Sequence, residues 1–289
     1  MTYRELRTLI RNQEGKDFTR ASSDLESAIF SIPKNDLVSI ITEIGVIPED
    51  IPHDSSEEKI YTKASDILFA KALKEMGLQV AVLRERADSA DIVAKSVYHG
   101  YSLVGDAKAF RLSRTAKNAK DFKVDSMRHW RGSNDFSVLA CPYFQYPKSQ
   151  SQVYKEALDG NVCLFSWEYL YLMLREGVTE TADRSFKNVW NQSAIIAKRT
   201  TCNDAKRCFL DTQNSNIVKL LGIRPGNFTR FMDETKRLVV ARGNEEIAYY
   251  RGEIERVRGL DRKTAVEQLL KALKIESRIE TIQKTIDSL

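Results

Sequence analysis

Cysteine, histidine, proline and glycine are all scarce in this 289-residue chain. Its four cysteines (Cys141, Cys163, Cys202, Cys208) form no CxxC pair, so reduced thiols in an intracellular protein are expected rather than a disulfide frame or a zinc site. Three scattered histidines (His53, His99, His129) lack metal-ligand spacing and leave little basis for Ser-His-Asp chemistry. Thirteen glycines and six prolines argue against a turn-rich β-sandwich and for a helix-rich architecture. No apolar run approaches the ~20 residues of a membrane span. The opening MTYRELRTLIRN is charged throughout, without the apolar stretch of a signal peptide, so a cytoplasmic location and no membrane partner are expected.

What is present suits a globular protein. With 42% hydrophobic and 29% charged residues, a sizeable core can form, as one large domain or a core with a smaller appendage. The formal net charge is +5, and residues 106–131 account for all of it, with eight basic and three acidic residues. Such a patch marks either a polyanion-binding surface or simply a solvated helix face.

Helical spacing of apolar positions runs through residues 2–12, 17–32, 35–44 and 57–76. Strands are predicted at 78–84, 90–97 and 101–110, joined as an antiparallel meander by short connections. A helix is predicted over 113–131. The apolar runs 136–144 and 161–167 read as buried strands, with a crossover helix at 149–160, giving a parallel βαβ unit. Helix returns at 167–177 and, after a mixed stretch at 180–208, dominates from 215 onward, broken near 224–227 and 259–262. The order predicts an α/β fold: a mixed five-stranded sheet flanked by helices, with helical N- and C-terminal regions. The expected divisions are a helical region packed on the core (1–76), the core itself (77–177) and a mainly helical region (178–289).

The chemistry gathers where the third strand ends, at Val104-Gly105-Asp106-Ala107-Lys108. Strand periodicity puts Asp106 and Lys108 on one face. Asp91 starts the preceding strand, and a hairpin of this length brings it beside the end of the third. Two carboxylates can hold Mg²⁺, which neutralises charge developing on a scissile phosphate and activates a water. A lysine beside that water can position it, take part in proton transfer, or stabilise the pentavalent transition state. A second DxK, Asp121-Phe122-Lys123, offers a competing register, disfavoured because helical positions i and i+2 point apart. Glu85 is another candidate acid, or a turn carboxylate.

Downstream, Arg111, Arg114, Lys117, Lys120 and Lys123 recur every third residue and suit phosphate contacts. Asn118 is of a type that reads adenine, or else a solvated helix residue, while Ala116 and Ala119 allow close approach. The residues alone leave open a metal-dependent nuclease and a DNA-binding protein without catalysis.

The segment DAKAFRLSRTAKNAKDFKV (106–124) closely resembles the HindIII type II restriction endonuclease family, within the PD-(D/E)xK nuclease superfamily. Further similarity lies in EIGVIPE (43–49), EEKIYTKASDILFAKA (57–72), YFQYP (143–147), LFSWE (164–168) and KIESRIETI (274–282), and is loosest between about 178 and 260. The resemblance implies a restriction-endonuclease-like core and a bacterial homodimer that cuts double-stranded DNA at AAGCTT with Mg²⁺. A cognate DNA methyltransferase would be its functional, not physical, partner. Position by position, Asp91, Asp106 and Lys108 fall on the catalytic motif, with Asp91, Asp106 and the Ala107 carbonyl as metal ligands. Asp121 matches a further family acid. Ala116, Asn118 and Lys120 fall where the family approaches bases in the major groove. In two places the chain departs from the pattern: Arg84, followed by Glu85, stands where the family has an acid, and Ala90 replaces the proline of the motif name. A repair or recombination nuclease of the same core is the alternative within enzymology.

Overall fold

The computed structural model describes residues 1–83, 89–114, 118–198 and 203–287. Two compact units divide the chain, Met1–Val240 and Ala241–Leu289. The first begins with helices α1 (Tyr3–Arg11), α2 (Phe18–Phe30), α3 (Lys34–Ile44) and α4 (Ser56–Glu75). Ser55 caps α4 by accepting from the Glu58 backbone N–H at 3.1 Å, and Glu57 and Glu58 occupy the positive first turn. Most residues of α4 are buried on all sides, as expected of a helix enclosed by others.

A five-stranded sheet follows, in the order β1 (Gln79–Val82), β2 (Ile92–Lys95), β3 (Ser102–Ala107), β4 (Phe136–Cys141) and β5 (Val162–Ser166). The first three strands are antiparallel, and β3, β4 and β5 are parallel. This is the predicted meander joined to a βαβ unit. Between β3 and β4 lie α5 (Ala119–Phe122) and α6 (Val124–Trp130). The crossover to β5 is α7 (Gln152–Gly160), and α8 (Trp167–Arg175) follows. The remaining helices are α9 (Lys187–Trp190), α10 (Gln192–Ala197), α11 (Ala205–Leu221), α12 (Pro225–Arg258), α13 (Arg262–Ala272) and α14 (Ile275–Asp287). Gly222, at φ 64°, ends α11, and Asp261 caps α13, so the predicted breaks near 224 and 260 are real. Cys141 and Cys163 are free and buried, whereas Cys208 is disulfide-bonded, which corrects the expectation of uniformly reduced thiols.

Alternation along the buried strands builds two cores. Ile92, Leu103, Val138 and Phe165 face the layer of α1–α4 and α8. Val104, Leu139, Val162 and Leu164 face Phe122, Met127, Val153 and Phe209 on the other side. The sheet is thus covered on both faces, as a parallel segment requires.

The helix predicted over 113–131 is not continuous. Asn118 opens α5, its backbone N–H donating to Asp121 Oδ2 at 2.8 Å, and Lys123 at φ 50°, ψ 33° separates α5 from α6. The cause is packing. Phe122 and Val124 are both fully buried in one core. On a single helix these positions point about 200° apart, so both can face the core only if the chain turns between them.

Candidate metal and nucleic-acid site

The sheet brings the strand motif together. Asp91 precedes β2, its N–H donating to the Gly105 carbonyl at 3.2 Å and its carbonyl accepting from Leu83 at 2.8 Å. Ala107, two residues beyond Gly105, presents its N–H to the same edge, where Asp66 Oδ1 of α4 accepts it at 3.1 Å. One carboxylate oxygen each from Asp66, Asp91 and Asp106 therefore lies within 4.8 Å of the others. Asp66 and Asp106 are buried, and Asp91 keeps 30% of its side-chain surface exposed.

Two ammonium groups attend the cluster. Lys108 is buried against Asp106 Oδ2. Its backbone is fixed on both sides, by an N–H to the Ala140 carbonyl at 2.7 Å and by the Trp167 indole, which donates to the Lys108 carbonyl at 2.9 Å. Lys63 of α4 lies 3.3 Å from Asp91 Oδ1.

The electrostatics follow from this crowding. Burial, with the charges of Asp91 and Asp106 adding, holds Asp66 well above the usual carboxylate range. Burial raises Asp106 to about 6, opposed by Lys108 and reinforced by Asp91. Burial alone would lower the Lys108 ammonium, but Asp106 outweighs it and the group is held above its ordinary value. Three carboxylates that repel one another this strongly are a donor set for a hard divalent cation, which takes oxygen ligands and relieves the repulsion.

The cluster opens into a cleft of about 800 Å³, walled by Phe18, Thr19 and Ser22 of α2, by Lys59 and Lys63 of α4, and by Lys123 and Trp130. The Lys123 ammonium sits 5.4 Å from the Trp130 ring centroid. A second open groove, of about 850 Å³, is lined by Asn118 and Lys120 together with Lys148, Gln150 and Gln152.

The other predicted site residues are scattered. Arg111 is buried, not a surface cation. Phe110 bridges in parallel to Val46, which draws Arg111 onto the turn that follows, where it donates to Glu58 Oε1 at 2.8 Å and to the Pro48 carbonyl at 2.9 Å. Its charge is committed within the fold, so it is not available to a phosphate. Asp121 caps α5 and pairs with exposed Arg114 at 2.7 Å, away from the carboxylate cluster. Asn118, Lys120 and Lys123 are exposed. Glu85, Ala116 and Lys117 lie outside the described residues.

A sequence profile of the HindIII restriction endonuclease family matches residues 4–286. The chain belongs to that family. It is also 37% identical over 282 residues to the type II restriction enzyme HindIII of Haemophilus influenzae, covering 98% of this chain and 94% of that protein. The predicted fold class is the one observed, a mixed sheet between helical layers. Helix α4 adds Asp66 and Lys63 to Asp91, Asp106 and Lys108. Asp66 and Lys63 were not among the predicted residues. Asp66 lies on the side of α4 that carries Lys59, Thr62 and Lys63, about 100° or more around the helix from the stripe of Ile60, Ala64, Ile67 and Leu68, so only the packing of the folded layers shows that it is buried. Among the described residues no helix is long and apolar enough to cross a membrane.

Proposed function

We propose that this chain is a type II restriction endonuclease that hydrolyses phosphodiester bonds of double-stranded DNA at a palindrome, AAGCTT by family resemblance, in the bacterial cytoplasm. The observation that carries this reading is the meeting of three carboxylates and two lysines at the end of the central strand β3, open to a wide cleft. Asp91 and Asp106, with the Ala107 carbonyl, would hold Mg²⁺, and Asp66 stands beside them. Mg²⁺ bound there supplies neutralisation of charge developing on the phosphate and lowers the pKa of a nearby water. Lys108 orients the attacking water and stabilises the transition state through its charge. Trp167 and Ala140 hold its backbone, so the ammonium meets the water without reorganisation. Arg114, Lys117, Lys120 and Lys123 contact the DNA backbone, and Ala116 and Asn118 approach the bases. Asp121 acts indirectly, by capping α5 behind Asn118. Glu85 remains a candidate outer acid.

A palindromic site calls for two-fold symmetry, one subunit per strand. A homodimer is supported by aliphatic residues left exposed on the C-terminal helices, among them Val266, Leu269, Leu273, Ile279, Ile282 and Ile286. A DNA methyltransferase protecting the same site is the expected functional partner.

Plasmid DNA incubated with and without Mg²⁺ tests the reading. Discrete fragments that require Mg²⁺ are expected. Asp106→Ala and Lys108→Ala should abolish cutting while DNA binding persists. Wild-type cutting by either variant would overturn the assignment. A smear or structure-dependent nicks would mean a repair nuclease, and a mobility shift without cutting would mean a DNA-binding protein.

A further inference from the structure

The second lysine of the cluster has no place in the strand motif. Lys63 stands three residues before Asp66 on α4, so the two side chains leave the helix on neighbouring parts of one face. Its ammonium contacts two acceptors, Asp91 Oδ1 at 3.3 Å and the Leu83 carbonyl at 3.1 Å. Asp91 is the most exposed of the three clustered carboxylates and faces the cleft. Lys63 therefore occupies one carboxylate oxygen of the most exposed of the three acids, on the side open to the cleft.

The two lysines differ in what their ammonium groups meet. Lys108 is pinned through its backbone and sits against a buried acid. The Lys63 side chain is as enclosed as that of Lys108, but its ammonium lies beside the cleft and its hydrogen bonds go to one partly exposed carboxylate and one neutral carbonyl. Once a dication neutralises Asp91, the Coulomb attraction holding the ammonium reverses into repulsion, because two cations then share one carboxylate. The cleft wall beside Lys63 carries Lys59, one turn away, as well as Glu26, and a phosphate of DNA entering the cleft would give the displaced ammonium a new anionic partner.

We propose that Lys63 is a displaceable counter-ion. It holds Asp91 while no divalent cation is present, gives up that carboxylate when the cation binds, and then pairs with a DNA phosphate. Metal binding and DNA binding thereby reinforce each other through one side chain. This rests on the reading of the site as a metal-dependent DNA-cutting centre.

The test compares wild type, Lys63→Met and Lys63→Arg by binding alone. Ca²⁺ is the probe, because it takes carboxylate oxygens, and recovered duplex is checked to be uncut. In calorimetric titration without DNA, Lys63→Met should bind Ca²⁺ about tenfold more tightly, since no ammonium competes. Binding of a duplex containing AAGCTT is then followed against salt. In Ca²⁺ the log–log slope for Lys63→Met should be shallower than wild type by about one phosphate contact, and without Ca²⁺ the slopes should match. Lys63→Arg, which keeps the charge, should follow wild type in both. Equal slopes in Ca²⁺, or unchanged Ca²⁺ affinity in Lys63→Met, overturn the counter-ion role while leaving the cutting centre intact. Failure of wild type to bind Ca²⁺ or the duplex overturns both.

Discussion

A carboxylate that accepts a backbone N–H and also faces two other acids serves two masters, and Asp66 is in that position. Its amide would keep the Ala107 contact and remove the buried charge. Asp66→Asn should therefore raise the melting temperature of the metal-free protein at pH 8 and lower cleavage about a hundredfold, the scale of losing one group that organises the reacting charges. A melt and a cleavage assay on the same preparation check both directions. The sign follows from the raised pKa: a buried acid held above its unfolded value destabilises the fold once ionised, so its cost grows as pH rises. Function runs the other way. Asp106, raised to about 6, must be ionised to take a cation, so divalent-ion affinity should fall steeply as pH drops from 7 to 5. Calorimetry with Mg²⁺ across that range measures it, and a flat profile would refute the role.

At the scale of elements, the strand motif was legible and the helix was not. Asp91, Asp106 and Lys108 could be placed from strand period and hairpin length, because both are local rules. The basic run misled, because its three-residue repeat resembles one helix face. The burial of Phe122 and Val124 breaks that face at Lys123, and the Phe110 bridge to Val46 removes Arg111 from it. The consequence can be measured with two substitutions. Arg111→Met leaves Glu58 beside an empty place in the fold and should destabilise by about 3 kcal/mol in denaturant unfolding. It should not change the salt slope of DNA binding. Lys120→Ala should do the reverse, with little effect on stability and a slope shallower by about one contact. If Arg111→Met also flattened the slope, Arg111 would be a phosphate ligand after all.

For the molecule as a whole, the expected two-fold assembly can be read directly. Sedimentation at micromolar concentration should give twice the chain mass. Leu269→Asp, on an exposed apolar position of α13, should shift that mass toward the monomer and slow double-strand cutting. An unchanged dimer would move the interface elsewhere.

Composition, period and turn chemistry already contained the mixed sheet, the meander, the parallel crossover and three of the site's charged groups. Each depends on residues near one another in the chain, where hydrophobic spacing and backbone preference act. The third acid, the second lysine, the broken basic helix and the buried Arg111 belong to another class. The third acid and the buried Arg111 arise where α4 and the 45–49 turn meet the end of β3, across 41 and 53 residues. The second lysine meets Asp91 across 28 residues, and the basic helix is broken by burial of Phe122 and Val124 on the other face of the sheet. Whether a charge there is solvated or buried is set by what packs on it, a property of the assembled layers that no local pattern encodes.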